Sequence, residues 1–171
     1  MDLNYQPHLP EEFSDTSKVW VYQSSRLFSM GEAFEIEDLL TDFIANWESH
    51  GSPIKGYANL FFGQFIVLMA DDSSARLCGS SADKSIRLMK DIEGLLKVDL
   101  LNRQSLAFLK DDKVQILPLS QLSYALENNF VEPDTIYFNN LVSTKKMLMS
   151  EWLVPIKDSW LKNKIKTAAT G

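Results

Sequence analysis

An α+β fold, with a mostly antiparallel sheet and helices on one face, is predicted by three features of this chain. A continuous apolar run, Phe65–Ala70, has the length and composition of a central buried strand. The pair Asp111-Asp112, between two apolar and β-branched runs, marks a hairpin of neighbouring antiparallel strands. From Lys18 to Lys110 the segments read strand, helix, strand, strand, helix, strand, the βαββαβ order of ferredoxin-like folds. An extra hairpin strand and a helical C-terminal extension would complete that core.

Residues 1–17, with Pro7, Pro10, Glu11, Glu12 and Asp15, read as a loose lead-in. Lys18–Gln23 (KVWVYQ) is β-branched and aromatic, and is the first strand. Ser29 opens a helix, because Glu32 stands three positions on. Its carboxylate and the serine hydroxyl can each satisfy a free backbone donor. Ile36, Leu39, Leu40, Phe43, Ile44 and Trp47 then recur at helical spacing, with Glu35, Asp38, Asp42 and Asn46 opposite. His50-Gly51-Ser52-Pro53 is expected to stop this helix.

Ile54–Phe62 alternates as a half-buried strand, and Gly63 permits a tight turn into Gln64–Ala70. After Asp71-Asp72-Ser73-Ser74, Ser80 or Ser81 is expected to cap a second helix, with Ile86, Met89, Ile92 and Leu96 inward. Ser105–Lys110 and Lys113–Leu117 flank the hairpin turn. Ser120–Glu127 reads as a short helix, Thr135–Phe138 as a short strand, and 145–152 as helical. Trp152, Leu153, Val154, Ile156, Trp160 and Leu161 are too many large apolar groups for a free arm. Segment 152–171 is therefore expected to dock, its lysines keeping their charges in water.

A length of 171 residues fits one domain, 1–171. The net charge of −6 argues against a nucleic-acid partner, which calls for a basic face. One cysteine, Cys78, excludes an internal disulfide and fits a reducing cytosol. The opening MDLNYQPHLPEEF has neither a basic start nor an apolar run, so no signal peptide is expected. The apolar stretches fall short of the roughly 20 residues of a membrane span. A soluble, cytoplasmic protein away from membranes is the expectation.

Several patterns recur together along nearly the whole chain. They are Trp20-x-Tyr22-Gln23-Ser24-x-Arg26-x-Phe28, Trp47-x-x-His50-Gly51, Phe65-Ile66-Val67-Leu68 and Asp83-Lys84-Ser85. Asp99-Leu100-x-x-Arg103, Phe138-Asn139-Asn140 with Thr144-Lys145, and Ser159-Trp160 follow. In these the chain resembles a family of small, uncharacterised bacterial proteins often labelled "ABC transporter ATPase". The resemblance brings no activity with it. ATP hydrolysis is not expected, because no G-x-x-x-x-G-K-[ST] run exists to cradle phosphates. Where the family pattern reads Gly-Cys-Ser-Ile-Asp-Lys-Ser, this chain has Gly79-Ser80-Ser81-Ala82-Asp83-Lys84-Ser85. Ser80 thus replaces the family's cysteine.

The candidate site residues each have a plainer reading. Asp71 and Asp72, at the end of the central strand, are the best carboxylate pair for acid–base or magnesium chemistry. Successive strand residues point to opposite faces, however, so they converge only if a loop has begun. Ser80, Ser81 and Asp83 could cradle an anion at a helix N-terminus, or simply cap it. His50 reads as a helix end. With His8 as its only companion, neither a metal nor a cofactor is expected. Arg26, Arg103, Asn139, Asn140, Thr144 and Lys145 stand at element ends, where they either line one pocket or fix loops through carbonyls. The leading expectation is a non-enzymatic cytosolic protein that binds a partner protein or small ligand, self-association included. The alternatives are a small enzyme with its site at the loop 71–85, and a structural subunit of a larger complex.

Overall fold

Strand β1 (Lys18–Gln23) leads through a loop into helix α1 (Met30–Asn46). It opens a computed structural model that describes residues 1–71 and 79–165, without the side chains of 79 and 80. A short hairpin, β2 (Glu48–Ser49) and β3 (Ser52–Pro53), precedes β4 (Lys55–Phe61), β5 (Phe65–Asp71) and helix α2 (Gly79–Leu96). Then come β6 (Ser105–Lys110), β7 (Lys113–Pro118), α3 (Leu122–Glu127), β8 (Ile136–Phe138), α4 (Lys145–Glu151) and β9 (Leu153–Pro155). The chain is α+β with antiparallel sheets, and it forms two compact units. One comprises residues 2–101 and 142–149; the other holds Met1, residues 102–141, and the chain from Ser150.

In the first unit the sheet order is β1-β5-β4, antiparallel throughout. Register places Tyr22, Ile66, Leu68 and Ala70 on one face, where they pack with Ile36 and Leu40 of α1 and Met89, Ile92 and Leu96 of α2. On the other face Val19, Val21, Phe61, Phe65, Val67 and Met69 are buried as well. Part of their cover is the segment expected to be a loose lead-in. Tyr5, Leu9 and Phe13 are all buried, and the Tyr5 ring meets Phe61 edge-on at 6.3 Å. The Lys145 ammonium fixes that segment by donating to the carbonyls of Pro10 (2.7 Å) and Phe13 (2.8 Å). With both faces covered, β5 is apolar from Phe65 to Ala70, and only its last residue, Asp71, is charged and paired with Lys55.

The ferredoxin-like topology is not completed. Strands β1, β5 and β4 stand in the arrangement of a split βαβ unit, but β6 pairs in the other unit. The outer edge of β1, where a fourth ferredoxin strand would lie, is bonded by residues 143–145. Val19 N–H donates to the Ser143 carbonyl at 3.0 Å, and Lys145 N–H to the Ser17 carbonyl at 2.9 Å. Helix α1 ends at Asn46, before the expected stop. His50 (φ 50°) and Gly51 (φ 79°) instead form the turn of the β2–β3 hairpin, where a two-residue loop needs positive φ.

The second unit is a four-stranded sheet of order β7-β6-β8-β9. Asp111 (φ 51°) and Asp112 (φ 61°) make its hairpin turn as the sequence predicts. Leu106, Phe108, Leu117, Leu122, Ala125, Tyr137, Ile156 and Leu161 form its core. The C-terminal segment enters as strand β9, and after a single 3-10 turn (Ile156–Asp158) it becomes helical over 162–165. Its Leu153 pairs with Phe138, and Trp152, Ile156 and Leu161 are fully buried.

Candidate functional site

Arg26 lies between β1 and α1 and acts as a clamp. Its guanidinium forks onto Glu32 with two bonds of 2.9 Å and donates to the Leu96 carbonyl at 2.8 Å, tying the start of α1 to the end of α2. Glu32 closes the capping box with Ser29: it accepts the Ser29 N–H at 2.8 Å, while the Ser29 hydroxyl accepts the Glu32 N–H at 3.2 Å. The Arg26 hydrogen bonds, then the Ser29 N–H, hold the Glu32 carboxyl down at about 2. His50 lies exposed just beyond the opposite end of α1. At 1.5 Å per residue, the 17 residues of that helix put roughly 25 Å between the two, so they share no cleft.

At the strand-to-helix stretch, Asp71 ends β5 directly across from Lys55, with Oδ2 and Nζ 3.4 Å apart. Its side chain shares the face of Val67 and Met69, away from α1 and α2. Ser81 is buried on the inner side of α2, and its carbonyl accepts the Trp47 indole N–H at 3.3 Å. Asp83 is exposed on the same helix. Asp72, Cys78 and the side chain of Ser80 lie outside the described residues. One inward position of α2 is corrected: Ile86 is 37% exposed, while Ser85 is buried one residue earlier. The Ser85 hydroxyl meets the Tyr22 hydroxyl at 2.8 Å and donates to the Ala82 carbonyl at 2.7 Å. The helix carries a hydroxyl where the core has a phenol to satisfy.

Arg103, Asn139 and Asn140 belong to the second unit. Arg103 is exposed. Asn139 donates to the Glu151 carbonyl at 3.3 Å, and Asn140 Oδ1 accepts the Trp152 indole N–H at 3.0 Å. These bonds anchor the chain around β8 and β9. Arg26, Asn139, Asn140 and Lys145 thus hold backbone or core groups in place. Among the described residues, no group of three His, Cys, Asp or Glu is arranged to hold a metal ion. No described helix is long and apolar enough to cross a membrane.

The geometry brings forward residues that sequence reasoning passed over. A groove of about 420 Å³ runs between α1 and the outermost strand of the first sheet, β4. Glu37, Leu40, Thr41 and Ile44 line it from the helix, and Gly56, Ala58 and Asn59 from the strand. Close by, Leu27 (62% exposed), Met30 (72%) and Phe34 (59%) present apolar surface at the start of α1. No motif marks such a groove; its only trace in the sequence is an apolar pair, Met30 and Phe34, on the polar side of an amphipathic helix. Comparison of the chain with protein-family models, with curated proteins and with solved structures finds no match.

Proposed function

We propose that this chain is a non-catalytic, cytoplasmic binding protein that engages a partner protein through the α1 side of its first unit. One observation carries the reading: Leu27, Met30 and Phe34 are each more than half exposed, all within or just before the first turns of α1, with Met30 and Phe34 one helical turn apart. Large apolar groups gathered at the surface mark interaction sites, whereas scattered ones are ordinary. Of the polar candidates, Arg26, Asn139, Asn140 and Lys145 are occupied with carbonyls, the Glu32 carboxylate and an indole N–H, and Asp71 faces Lys55. The single cysteine supports a cytoplasmic setting, the charge of −6 speaks against a nucleic-acid partner, and membership of the bacterial family named above belongs to the same reading.

The immobilised full chain tests this by capturing proteins from its source cells, each candidate then being purified and titrated by calorimetry. Saturable binding is expected, weakened about tenfold or more by Phe34→Ser or Met30→Ser with melting unchanged. Turnover of a small molecule that disappears in Asp71→Asn, with no protein retained, would overturn it.

A further inference from the structure

We propose that the open edge of β4 accepts an extended, basic segment of a partner protein as an added strand of the first sheet. The inference rests on the binding-protein reading and supplies the chemistry of the partner. It begins with the backbone. Ser24 N–H donates to the Gln64 carbonyl at 2.8 Å, which fixes the hydrogen-bonded pairs between β1 and β5. Antiparallel ladders alternate, so Ile66, Leu68 and Ala70 turn their main-chain groups toward β1. Phe65, Val67, Met69 and Asp71 turn theirs toward β4, and meet Phe61, Asn59, Tyr57 and Lys55. The intervening residues Gly56, Ala58 and Leu60 therefore direct N–H and C=O groups away from the sheet. Two bonds agree with this phase. Val19, at an outward position of β1, donates outward to Ser143, and the outward Leu60 N–H is taken by the Asn59 side chain at 2.8 Å.

Gly56 and Ala58 are the stretch of edge that opens into the groove. Their outward groups repeat every second residue, about 6.6–6.8 Å apart, the spacing an incoming strand needs. The groove beside this edge, walled by Leu40, Thr41 and Ile44, gives the incoming backbone room. The opposite edge of the sheet is taken by residues 143–145, which among the described residues leaves β4 as the side open to addition.

The helix above the groove sets the side-chain chemistry. Met30, Phe34, Glu37 and Thr41 follow one another at spacings of four, three and four residues, which places them on one side of α1. Glu37 and Thr41 line the groove, so Met30 and Phe34 continue that wall toward the start of the helix. Helix α1 bears Glu32, Glu35, Glu37, Asp38 and Asp42 and no lysine or arginine. Among the described residues, only Glu32 of these is in an ion pair. An added strand carrying lysine or arginine near Glu37 and an apolar group near Phe34 meets both features. A second copy of this chain does not, since edge-to-edge pairing would bring two acidic α1 helices alongside each other.

The test uses the full chain and three synthetic probes of about ten residues: alternating Lys-Val, alternating Glu-Val, and Lys-Val with a central proline. Binding is read by fluorescence polarisation, and the site by hydrogen exchange of individual amides. The Lys-Val probe is expected to bind and to slow exchange at Gly56 and Ala58 by about tenfold or more. Glu37→Lys should weaken it by a similar factor, while Asp91→Lys, on α2, should not. Ala58→Pro removes an outward N–H that the β4–β5 ladder does not use, so it should abolish binding with the melting temperature kept. Equal binding of the Glu-Val or proline probe, protection confined to other residues, or dimerisation abolished by Ala58→Pro would each overturn the inference. A captured protein partner that protects the start of α1 but not Gly56 and Ala58 would sink the edge site and leave the binding reading standing. If neither probe nor partner binds, both fall.

Discussion

Gly56 lies directly beneath Trp47: a Cβ at this position would come within 2.8 Å of the indole Cε3 and 3.1 Å of Ile44 Cδ1. The close approach lets the Trp47 ring sit over β4 while its N–H reaches back to the Ser81 carbonyl. The indole is held in an edge-on contact with Trp20 and a tilted one with Phe43, so it has little freedom to give way. Gly56→Ala should overpack this contact and destabilise the protein by about 1–3 kcal/mol. Urea unfolding monitored by tryptophan fluorescence measures it, and an unchanged midpoint would show that the ring moves freely.

Acid should act through Glu32. Its carboxyl is held at about 2, below the ordinary glutamate value of about 4.3, so the folded state favours the charged form. The stability it contributes is present above that ordinary value and is lost as pH falls toward 2. Over this window the native chain should lose stability more steeply than Glu32→Gln, which has no such charge to titrate. Parallel slopes in denaturant melts from pH 5 to 2 would contradict the clamp.

The capping box of Ser29 and Glu32 was legible because both partners lie within one turn, and local spacing determines the bond. The rest of the clamp was not: Arg26 reaches the Leu96 carbonyl across a separation of 70 residues. The same limit hid the sheet membership of β6, since its apolar pattern fits either sheet and only tertiary pairing decides. In the lead-in, prolines and acidic residues masked Tyr5, Leu9 and Phe13, whose burial depends on the far face of β5. Ser85 went unread because its partner, the Tyr22 hydroxyl, is on another element. The β4 groove leaves only the Met30 and Phe34 pair as a trace, because a strand becomes an edge only once its neighbours are known.

Lys145 holds the lead-in. Replacing it by Met keeps much of the apolar stem but removes the charged donor to the Pro10 and Phe13 carbonyls. A loss of about 1.5–3 kcal/mol is expected. Limited proteolysis should then cut within residues 1–17 before the rest of the unit opens; a cleavage pattern like that of the parent would count against this role.

In the second unit, Leu161 is fully buried in a core it shares with Leu106, Phe108 and Ile156. Leu161→Ala should cost about 2–5 kcal/mol, as other cavity-forming leucine truncations do. A shift in melting within error would mean that the C-terminal segment is not integral to that core.

The division of labour between scaffold and binding surface is tested most directly by measuring melting temperature and partner affinity together for four variants. Arg26→Ala and Asn140→Ala should lower melting while leaving affinity for the captured partner within about twofold. Phe34→Ser and Glu37→Lys should leave melting unchanged and weaken binding by about tenfold or more. The opposite pattern, with Arg26 or Asn140 variants losing the partner at full stability while Phe34 and Glu37 variants retain it, would contradict the assignment of function to the α1–β4 side.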